Sequence, residues 1–246
     1  MRRIFSVLPY FLPPEPEAFA KLFREHGTLR VVEKNEHLKR GGESQKLFFL
    51  ASGLCAYCAA EAVDHRPTIL SVILPGRAMG DLTASIGTRC NVFTRALERS
   101  EVLVVDPAVL TRAVASDPAL SRLEIRSVIA KEESIIEGMA ANFIRPPAER
   151  IVICAKALSR SAEGLEGNRA AAEDGWHRLP IVLSAERIGE IVNLNRVSVA
   201  RQLSRWMKLG LVKREGRTLL FSEKLFGAVD DWIENRAPAE TLSGLG

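Results

Sequence analysis

The chain has 246 residues, of which 47% are hydrophobic and 26% charged, and its formal net charge is +4. The length predicts two domains, and the hydrophobic content is enough to fill two cores. The sequence contains no run near the ~18 apolar residues that a membrane span needs, and its small positive charge is not that of a polycationic tail.

The N-terminus lacks the pattern of a signal peptide. Residues 1–9 include two consecutive arginines, but the apolar run that follows them is short and ends at Pro9. A signal peptide needs a longer uninterrupted apolar segment. We therefore predict a cytoplasmic location, in which cysteines stay reduced, and no membrane partner.

Several short hydrophobic segments lie between glycine and proline turns in the N-terminal half. The clearest is Leu47–Leu50, which lies between the Gly41-Gly42 pair and Gly53. Ile69–Leu74 comes before a Pro-Gly turn, and further apolar residues lie within 92–105. Short strands separated by such turns are typical of a jelly roll or small barrel. We predict a sensor domain of this kind over residues 1–116.

The four cysteines, Cys55, Cys58, Cys90 and Cys154, do not predict a metal or redox centre. Cys55 and Cys58 have the spacing of a metal-binding pair. Residues three apart on a strand point to opposite faces, however, so the two thiols converge only where the strand bends. We predict that the cysteines are small buried hydrophobic residues. The histidines are scattered, so no metal site is predicted, the cofactor is unknown, and a haem sensor stays open as an alternative.

A long helix is predicted after the barrel, from about Pro118 to Asn142. Two apolar stripes run along it at three- and four-residue spacing. The first stripe contains Ile125, Val128, Ile135 and Met139, and the second contains Ile129, Ile136 and Phe143. We expect one stripe to face the barrel and the other to face a second copy of the chain. The alternative is a monomer in which one broad face of the helix packs on the core.

The sequence Arg145-Pro146-Pro147 is expected to end this helix, because proline cannot continue the hydrogen-bond ladder. Residues 117–144 are therefore predicted as a dimerisation helix and hinge. A new helix is predicted at Ala148–Leu158, at the start of a third region that covers residues 145–246.

The third region contains the most specific pattern of the chain, a helix, a tight turn and a second helix. Ser184 is placed to cap the first helix, and Asn193 suits the turn because asparagine tolerates left-handed backbone. The second helix is predicted over Arg196–Leu209, with Gly210 as its C-terminal cap. The segment Leu211–Phe221 predicts two short strands around a Glu-Gly-Arg turn, which is the pattern of a β-wing.

The second helix and the wing are rich in cations. Between residues 196 and 217 there are seven lysines or arginines and one acidic residue. This bias is expected where DNA phosphates are neutralised, and a helix-turn-helix places its second helix in the major groove. The alternative is an ordinary helical hairpin with a solvated cationic face. The predicted DNA-binding residues are Ser184, Asn195, Arg196, Val197, Ser198, Arg201, Gln202, Arg205, Lys213 and Arg217.

Residues 179–221 resemble the winged helix-turn-helix of the catabolite-activator (Crp/Fnr) family of bacterial transcription regulators. The family pattern at the recognition helix is Ser-Arg-Glu-Thr-Val-x-Arg, and this chain has Asn-Arg-Val-Ser-Val-Ala-Arg at 195–201. By this resemblance, Arg196 and Arg201 match the residues that reach base edges and backbone. Val197 replaces the family glutamate. Because valine offers only apolar contact, best matched by a thymine methyl, the expected half-site preference differs from the family norm.

Residues 38–54 resemble the strand–turn–strand signature of the cyclic-nucleotide-binding-like barrel of the same family. The segment Gly80–Ala96 then corresponds to the phosphate-binding cassette, but its clamping Arg-Ser pair falls on Cys90-Asn91, and Arg89 is one residue out of register. A buried phosphate needs a paired cation, so the predicted effector is not a cyclic nucleotide. The candidate effector residues are Gly80, Asp81, Leu82, Arg89, Cys90 and Asn91.

The resemblance implies an α+β fold, in which a long dimerisation helix joins an N-terminal β jelly roll or barrel to a C-terminal winged helix-turn-helix domain. It also implies a homodimer on a palindromic operator in double-stranded DNA, with recognition helices about one turn (~34 Å) apart, and RNA polymerase as a further partner. No acid–base or nucleophile pairing points to an enzyme. Two alternatives stay open: a cyclic-nucleotide-responsive regulator with a rearranged cassette, and a barrel enzyme with an accessory helical domain.

Overall fold

A computed structural model describes residues 3–40, 46–59, 68–80, 92–162 and 175–234. Two four-stranded antiparallel sheets form the N-terminal half, with strand orders β1-β8-β3-β6 and β2-β7-β4-β5. The predicted jelly roll is therefore confirmed. The strands are β1 (Thr28–Val32), β2 (His37–Lys39), β3 (Leu47–Ser52), β4 (Cys55–Cys58), β5 (Ile69–Ile73), β6 (Arg77–Met79), β7 (Phe93–Ala96) and β8 (Ser100–Val105).

The two sheets pack face to face around an apolar core. Each sheet contributes alternate residues, as expected for strands with one face buried. Phe48 and Val102 come from the first sheet, and Cys55, Tyr57 and Ile73 come from the second. Cys58 belongs instead to the core on the outer face of the second sheet, so the two cysteines of β4 do point to opposite faces.

Helices cover the outer face of the first sheet. They are α1 (Glu17–His26), α2 (Pro107–Ser116) and the first turn of α3 (Pro118–Ile144). Phe19 and Phe23 of α1 pack with Phe49 of β3, and the rings of Phe23 and Phe49 stack at 5.4 Å. The sequence prediction did not include α1.

The long helix α3 buries a polar face, and this finding corrects the predicted packing. One of the two apolar stripes was expected to face the barrel, but Ile125 and Met139 of the first stripe are 55% and 48% exposed, and all of the second stripe is exposed. Only Ile135 of the two stripes packs against the barrel core, and it is half-buried. Aside from Leu120, the buried residues of α3 are polar or small: Glu124, Ser127, Lys131, Ser134, Glu137, Gly138 and Ala141.

The N-terminal segment 3–16 explains why a polar face can be buried. It pairs with the edge of β5 through Phe11 and Val72, and it follows the polar side of α3. Ser134 Oγ lies 2.8 Å from the carbonyl oxygens of Leu8 and Phe11. A Cβ on Gly138 would lie 3.2 Å from the backbone nitrogen of Tyr10, so a small residue permits this close approach.

An ion pair between Glu15 and Lys131 lies at the centre of this contact, and both side chains are almost completely buried. The Glu15 carboxylate also accepts hydrogen bonds from Ser127 Oγ at 2.8 Å and from the Ala78 backbone N–H at 2.9 Å. Such additional bonds are what a buried ion pair needs to offset its desolvation. The pair therefore ties α3, the N-terminal segment and β6 together.

Arg77 extends this polar contact to the C-terminal half. Its guanidinium is buried, and it donates to the carbonyl oxygens of Leu12, Pro75 and Ser161. Burial lowers the pKa of Arg77 to about 10, and the Glu15 carboxylate opposes that shift. Ser161 ends helix α4 (Pro147–Ser161), so Arg77 connects the barrel to the first helix after the hinge.

The hinge and the C-terminal helices contact each other. Helix α3 ends at Ile144 and α4 begins at Pro147, as the two prolines predicted. The Arg145 guanidinium lies 5.2 Å from the ring centroid of Trp232 in α8 (Asp230–Ile233). A further helix, α7 (Glu223–Gly227), lies before α8. Among the described helices, none combines the length and apolarity needed to cross a membrane.

We expect Lys131→Met to lower the free energy of unfolding by about 3–5 kcal/mol, because it leaves the buried Glu15 carboxylate without its counter-charge. Urea denaturation measures the change. Lys21→Met is the matched control, since Lys21 pairs with Glu25 at 3.7 Å on an exposed surface, and its loss should be far smaller. Equal stabilities of the two variants would contradict a central role for the buried pair.

Candidate nucleic-acid interface

Two helices joined by a tight turn form the centre of the C-terminal region. Helix α5 spans Ala185–Val192 and is capped by Ser184, whose Oγ accepts a hydrogen bond from the Arg187 N–H at 3.1 Å. Asn193 ends α5 in the left-handed region at φ 51°. Helix α6 (Arg196–Lys208) begins two residues later. The start of α6, the Ser184 cap and the Asn193 turn agree with the sequence prediction, whereas α6 ends one residue earlier than predicted, with Leu209 and not Gly210 as its C-cap.

The turn brings the two helices into close contact through Gly189. A Cβ at this position would lie 2.4 Å from the carbonyl oxygen of Leu194. The Leu194 N–H donates to the Gly189 carbonyl at 2.9 Å and closes the turn. Gly189 therefore sets the distance between α5 and α6.

Helix α6 buries its apolar face against α5 and the wing. Val199, Leu203 and Trp206 are buried, and the Trp206 ring lies edge-on to Phe221 at 6.4 Å. The wing consists of β10 (Val212–Glu215) and β11 (Thr218–Ser222), and β9 (Trp176–Arg178) adds a third strand that the sequence prediction lacked.

The opposite face of α6 points to solvent and carries the predicted cations. Arg196, Arg201 and Arg205 are exposed, and so is Lys208. Within the described part of the chain, none of these four side chains forms an ion pair with a carboxylate. Val197 lies beside them and is 64% exposed, which is unusual for valine. This face is a continuous cationic surface with one apolar residue.

Four of the predicted DNA-binding residues have a structural role or are only partly accessible, and the first is Ser184, which caps α5. The Asn195 side chain caps α6, because its Oδ1 accepts from the Ser198 N–H at 2.8 Å. Ser198 and Gln202 are half-buried. An asparagine directly before a helix is a known capping signal, so the sequence could have revealed the role of Asn195.

The wing carries cations that are partly offset by one carboxylate. Glu215 accepts from Arg178 Nη1 at 2.6 Å, and its other oxygen lies 3.7 Å from Lys213 Nζ. Lys213 also lies over the Trp176 ring, 4.6 Å from its centroid. Arg217, at the tip of the wing, is exposed and has no carboxylate partner among the described residues.

Side chains of α3 and α5 join the helix-turn-helix to the rest of the described chain. Asn142 Nδ2 of α3 donates to the Ile191 carbonyl at 3.2 Å, and Asn142 Oδ1 accepts from Tyr10 Oη at 2.9 Å. Arg187 Nη2 of α5 approaches the Leu97 carbonyl at 3.4 Å, just after β7. Neither contact was predicted, because the partners are distant in sequence.

The candidate effector segment lies mostly outside the described residues. This applies to Asp81, Leu82, Arg89, Cys90 and Asn91. Gly80 is described, adopts φ 87° and donates its N–H to Tyr57 Oη at 2.9 Å.

The described cysteines are free thiols that are buried, as predicted. Burial raises the pKa of Cys55 and of Cys154 to about 12 in each case, which disfavours reactive thiolates. The described part of the chain contains no cluster of histidine, cysteine and acidic residues that could hold a metal ion.

No protein-family model matches the sequence, and no curated protein matches it either. Solved structures, however, match most of the chain. FixK2 from Bradyrhizobium japonicum has a TM-score of 0.68 at 18% identity, over 82% of this chain and 96% of that one. The c-di-GMP responsive global regulator CLP of Xanthomonas campestris has a TM-score of 0.65 at 17% identity, over 84% and 99%.

A transcriptional regulator of the CRP/FNR family from Thermus thermophilus has a TM-score of 0.62 at 14% identity, over 85% of this chain and 100% of that one. The chain has the Crp/Fnr fold. In this fold the jelly roll, the long helix and the winged helix-turn-helix occur together, as the sequence resemblance implied.

We expect Gly189→Ala to lower the free energy of unfolding by about 1–3 kcal/mol, because the added methyl group overlaps the Leu194 carbonyl and forces α5 and α6 apart. Thermal or urea denaturation measures the change. Gly227→Ala is the matched control: the nearest atom to its added Cβ is 4.0 Å away, and alanine favours helix. The proposed spacing role fails if both variants are as stable as the parent.

Proposed function

We propose that this protein is a sequence-specific DNA-binding transcription regulator that reads a palindromic operator as a homodimer. The observation that carries the proposal is the exposed face of α6, where Arg196, Arg201, Arg205 and Lys208 all point to solvent without carboxylate partners among the described residues. A second helix of this kind, held by a short turn and followed by a wing, enters the major groove in DNA-binding proteins.

The chemistry of the α6 face fits both parts of DNA recognition. Arginine can donate two parallel hydrogen bonds to a guanine edge, and further cations bind phosphates. Val197 offers a methyl surface that suits thymine, in agreement with the half-site preference inferred from the sequence. Arg217 and Lys213 of the wing are placed to bind the flanking backbone, although Glu215 weakens the field of Lys213.

The exposed face of α3 supports the homodimer. Ile129, Ile136 and Met139 are each between 43% and 48% exposed, and Phe143 is 86% exposed. Apolar side chains aligned along one helix face in this way mark a surface that a partner covers. A two-fold axis along α3 would bring two α6 helices to the same side of the dimer, as a palindrome requires.

The remaining assignments complete the proposal. Residues 1–116 form the sensor, 117–144 the dimerisation helix and hinge, and 145–246 the DNA-binding domain. RNA polymerase is the expected protein partner, and the cytoplasm is the expected location. CLP is a global regulator and the Thermus protein is a transcriptional regulator, which favours regulation over a barrel enzyme. The effector is not a cyclic nucleotide, because Cys90-Asn91 replaces the phosphate-clamping pair.

Arg196→Ala should lower affinity for the operator by about 1–3 kcal/mol while affecting random DNA less, since it removes a base contact. Arg217→Ala should weaken binding to both about equally and flatten the dependence on salt. Fluorescence anisotropy at several salt concentrations, with an operator selected from a random pool, measures both effects. If the two variants lose the same affinity on operator and random DNA, Arg196 is not a base reader.

Ile129→Lys and Phe143→Lys should each convert the dimer to a monomer, because a charge buried in an apolar interface without a partner is unfavourable. Sedimentation velocity measures the oligomeric state. Val182→Lys is the matched control, since Val182 is 50% exposed but lies outside α3. A monomeric parent protein, or dimeric variants, would contradict the proposed interface.

Cyclic AMP and cyclic GMP should leave operator affinity unchanged within about twofold, because a ligand shifts a switch only through differential binding to its two states. The same anisotropy assay, with saturating nucleotide added, checks this expectation. A larger change with either nucleotide would show that the rearranged cassette still binds the cyclic phosphate.

A further inference from the structure

Arg95 of β7 carries hydrogen-bond donors that the described residues leave unused. Its neighbours on β7, Thr94 and Ala96, are buried, and Ala96 belongs to the core between the two sheets. Because strand residues alternate, Arg95 points out of the jelly roll. Its Nε and Nη2 atoms are buried, yet neither has a hydrogen-bond partner among the described residues.

Two buried guanidinium nitrogens without partners are unusual. An unsatisfied buried donor is unfavourable by about 1–3 kcal/mol, and more when the group is charged. Buried polar groups in native proteins are therefore nearly always paired with protein, water or a ligand. In the described part of the chain, no other guanidinium has two such nitrogens. The Nε and Nη2 atoms of Arg95 are thus available to donate hydrogen bonds to an acceptor other than the described residues.

The surroundings of Arg95 lie between the jelly roll and α5, the first helix of the helix-turn-helix. Its cross-strand neighbour Ala56 belongs to the same apolar core as Ile188 and Ile191 of α5. Arg187 of α5 approaches the Leu97 carbonyl, two residues beyond Arg95. This contact between α5 and the residue after β7 brings the Arg187 guanidinium near the Arg95 guanidinium.

The charges around Cys58 support this placement. Burial raises the pKa of Cys58, while the positive charges of Arg95 and Arg187 lower it, and the Glu190 carboxylate raises it. Arg95 also donates a hydrogen bond to the Cys58 sulfur. Arg95, Arg187 and Glu190 therefore all act electrostatically on the same thiol.

Arg187 is only partly engaged. Its Nη1 pairs with Glu190 at 2.5 Å, whereas its Nη2 makes only the long 3.4 Å contact to Leu97. A guanidinium can give two parallel hydrogen bonds to one phosphate or carboxylate. Arg95 and Arg187 together thus offer donors from two different elements to one small anion.

We propose that a small dianion, of the class of a phosphate monoester, binds between β7 and α5 and is held by Arg95 and Arg187. That this anion is an effector rests on the proposed regulatory function. Bound to Arg95 and Arg187, it would connect the jelly roll to the DNA-binding region. A phosphate monoester has three terminal oxygens that can accept from two guanidinium groups, whereas a cyclic phosphodiester has only two and suits this pair of arginines less well. The site lies outside the jelly-roll interior and does not use the cassette residues 90–91.

Inorganic phosphate is the probe for this site. We expect it to raise the melting temperature of the full chain by roughly 5–10 °C at a hundredfold excess over its dissociation constant, with chloride used to keep ionic strength constant. Arg95→Met should abolish this shift. Without phosphate, the same substitution should keep or raise the melting temperature, because it removes an unpaired buried charge.

Arg95→Lys is the second variant, since it keeps the charge but loses the Nε and Nη2 donors, and it should lose most of the phosphate shift. Arg99→Met is the matched control, because Arg99 pairs with Glu33 at 3.6 Å on the surface, and it should keep the full shift. No shift in the parent chain, or an undiminished shift in both Arg95 variants, would overturn the proposal. Since these measurements contain no DNA, their failure is distinct from failure of the regulatory function.

Discussion

The buried ion pair between Glu15 and Lys131 constrains the arrangement of the whole chain. A lysine on the barrel side of α3 is tolerated only with a counter-charge, so residues 3–16 must lie between the helix and the second sheet. That path brings Leu12 to Arg77, and Arg77 in turn reaches the end of α4. The position of the C-terminal half therefore depends on a contact made by the first sixteen residues.

The C-terminal region, with its helix-turn-helix, is joined to the jelly roll by side chains that donate to backbone carbonyls. Arg77 reaches Ser161, Asn142 reaches Ile191, and Arg187 reaches Leu97. The position of a backbone carbonyl is fixed by the helix or strand to which it belongs, so moving that element moves the acceptor. Small rotations of α4 or α5 would break these bonds together, so the joint favours a few discrete arrangements over continuous motion. An anion at Arg95 would stabilise one of them.

Local signals made the helix-turn-helix predictable. Each of these signals affects the backbone only within a few residues of its own position. They are the cap at Ser184, the left-handed residue Asn193 and the helix-ending prolines 146 and 147. The packing of α3 was not predictable in this way. Apolar spacing predicted that one of two apolar stripes faces the barrel, whereas the buried face is polar and its partners lie more than 100 residues earlier in the chain. For Arg95, strand alternation predicts that the side chain points out of the jelly roll, but it does not predict that this side chain lies near α5.

The contact of Trp232 with Arg145 bears on how the chain folds during synthesis. Segment 3–16 leaves the ribosome long before α3 and carries Glu15 without its partner until Lys131 has been made. The jelly roll and its helices can then pack together, since Leu120, the last buried residue of the core over the first sheet, has already been made. The hinge, however, gains its aromatic cover only with α8, among the last described residues. The jelly roll is thus made first, and the hinge contact with the C-terminal helices forms only after Trp232 has been made.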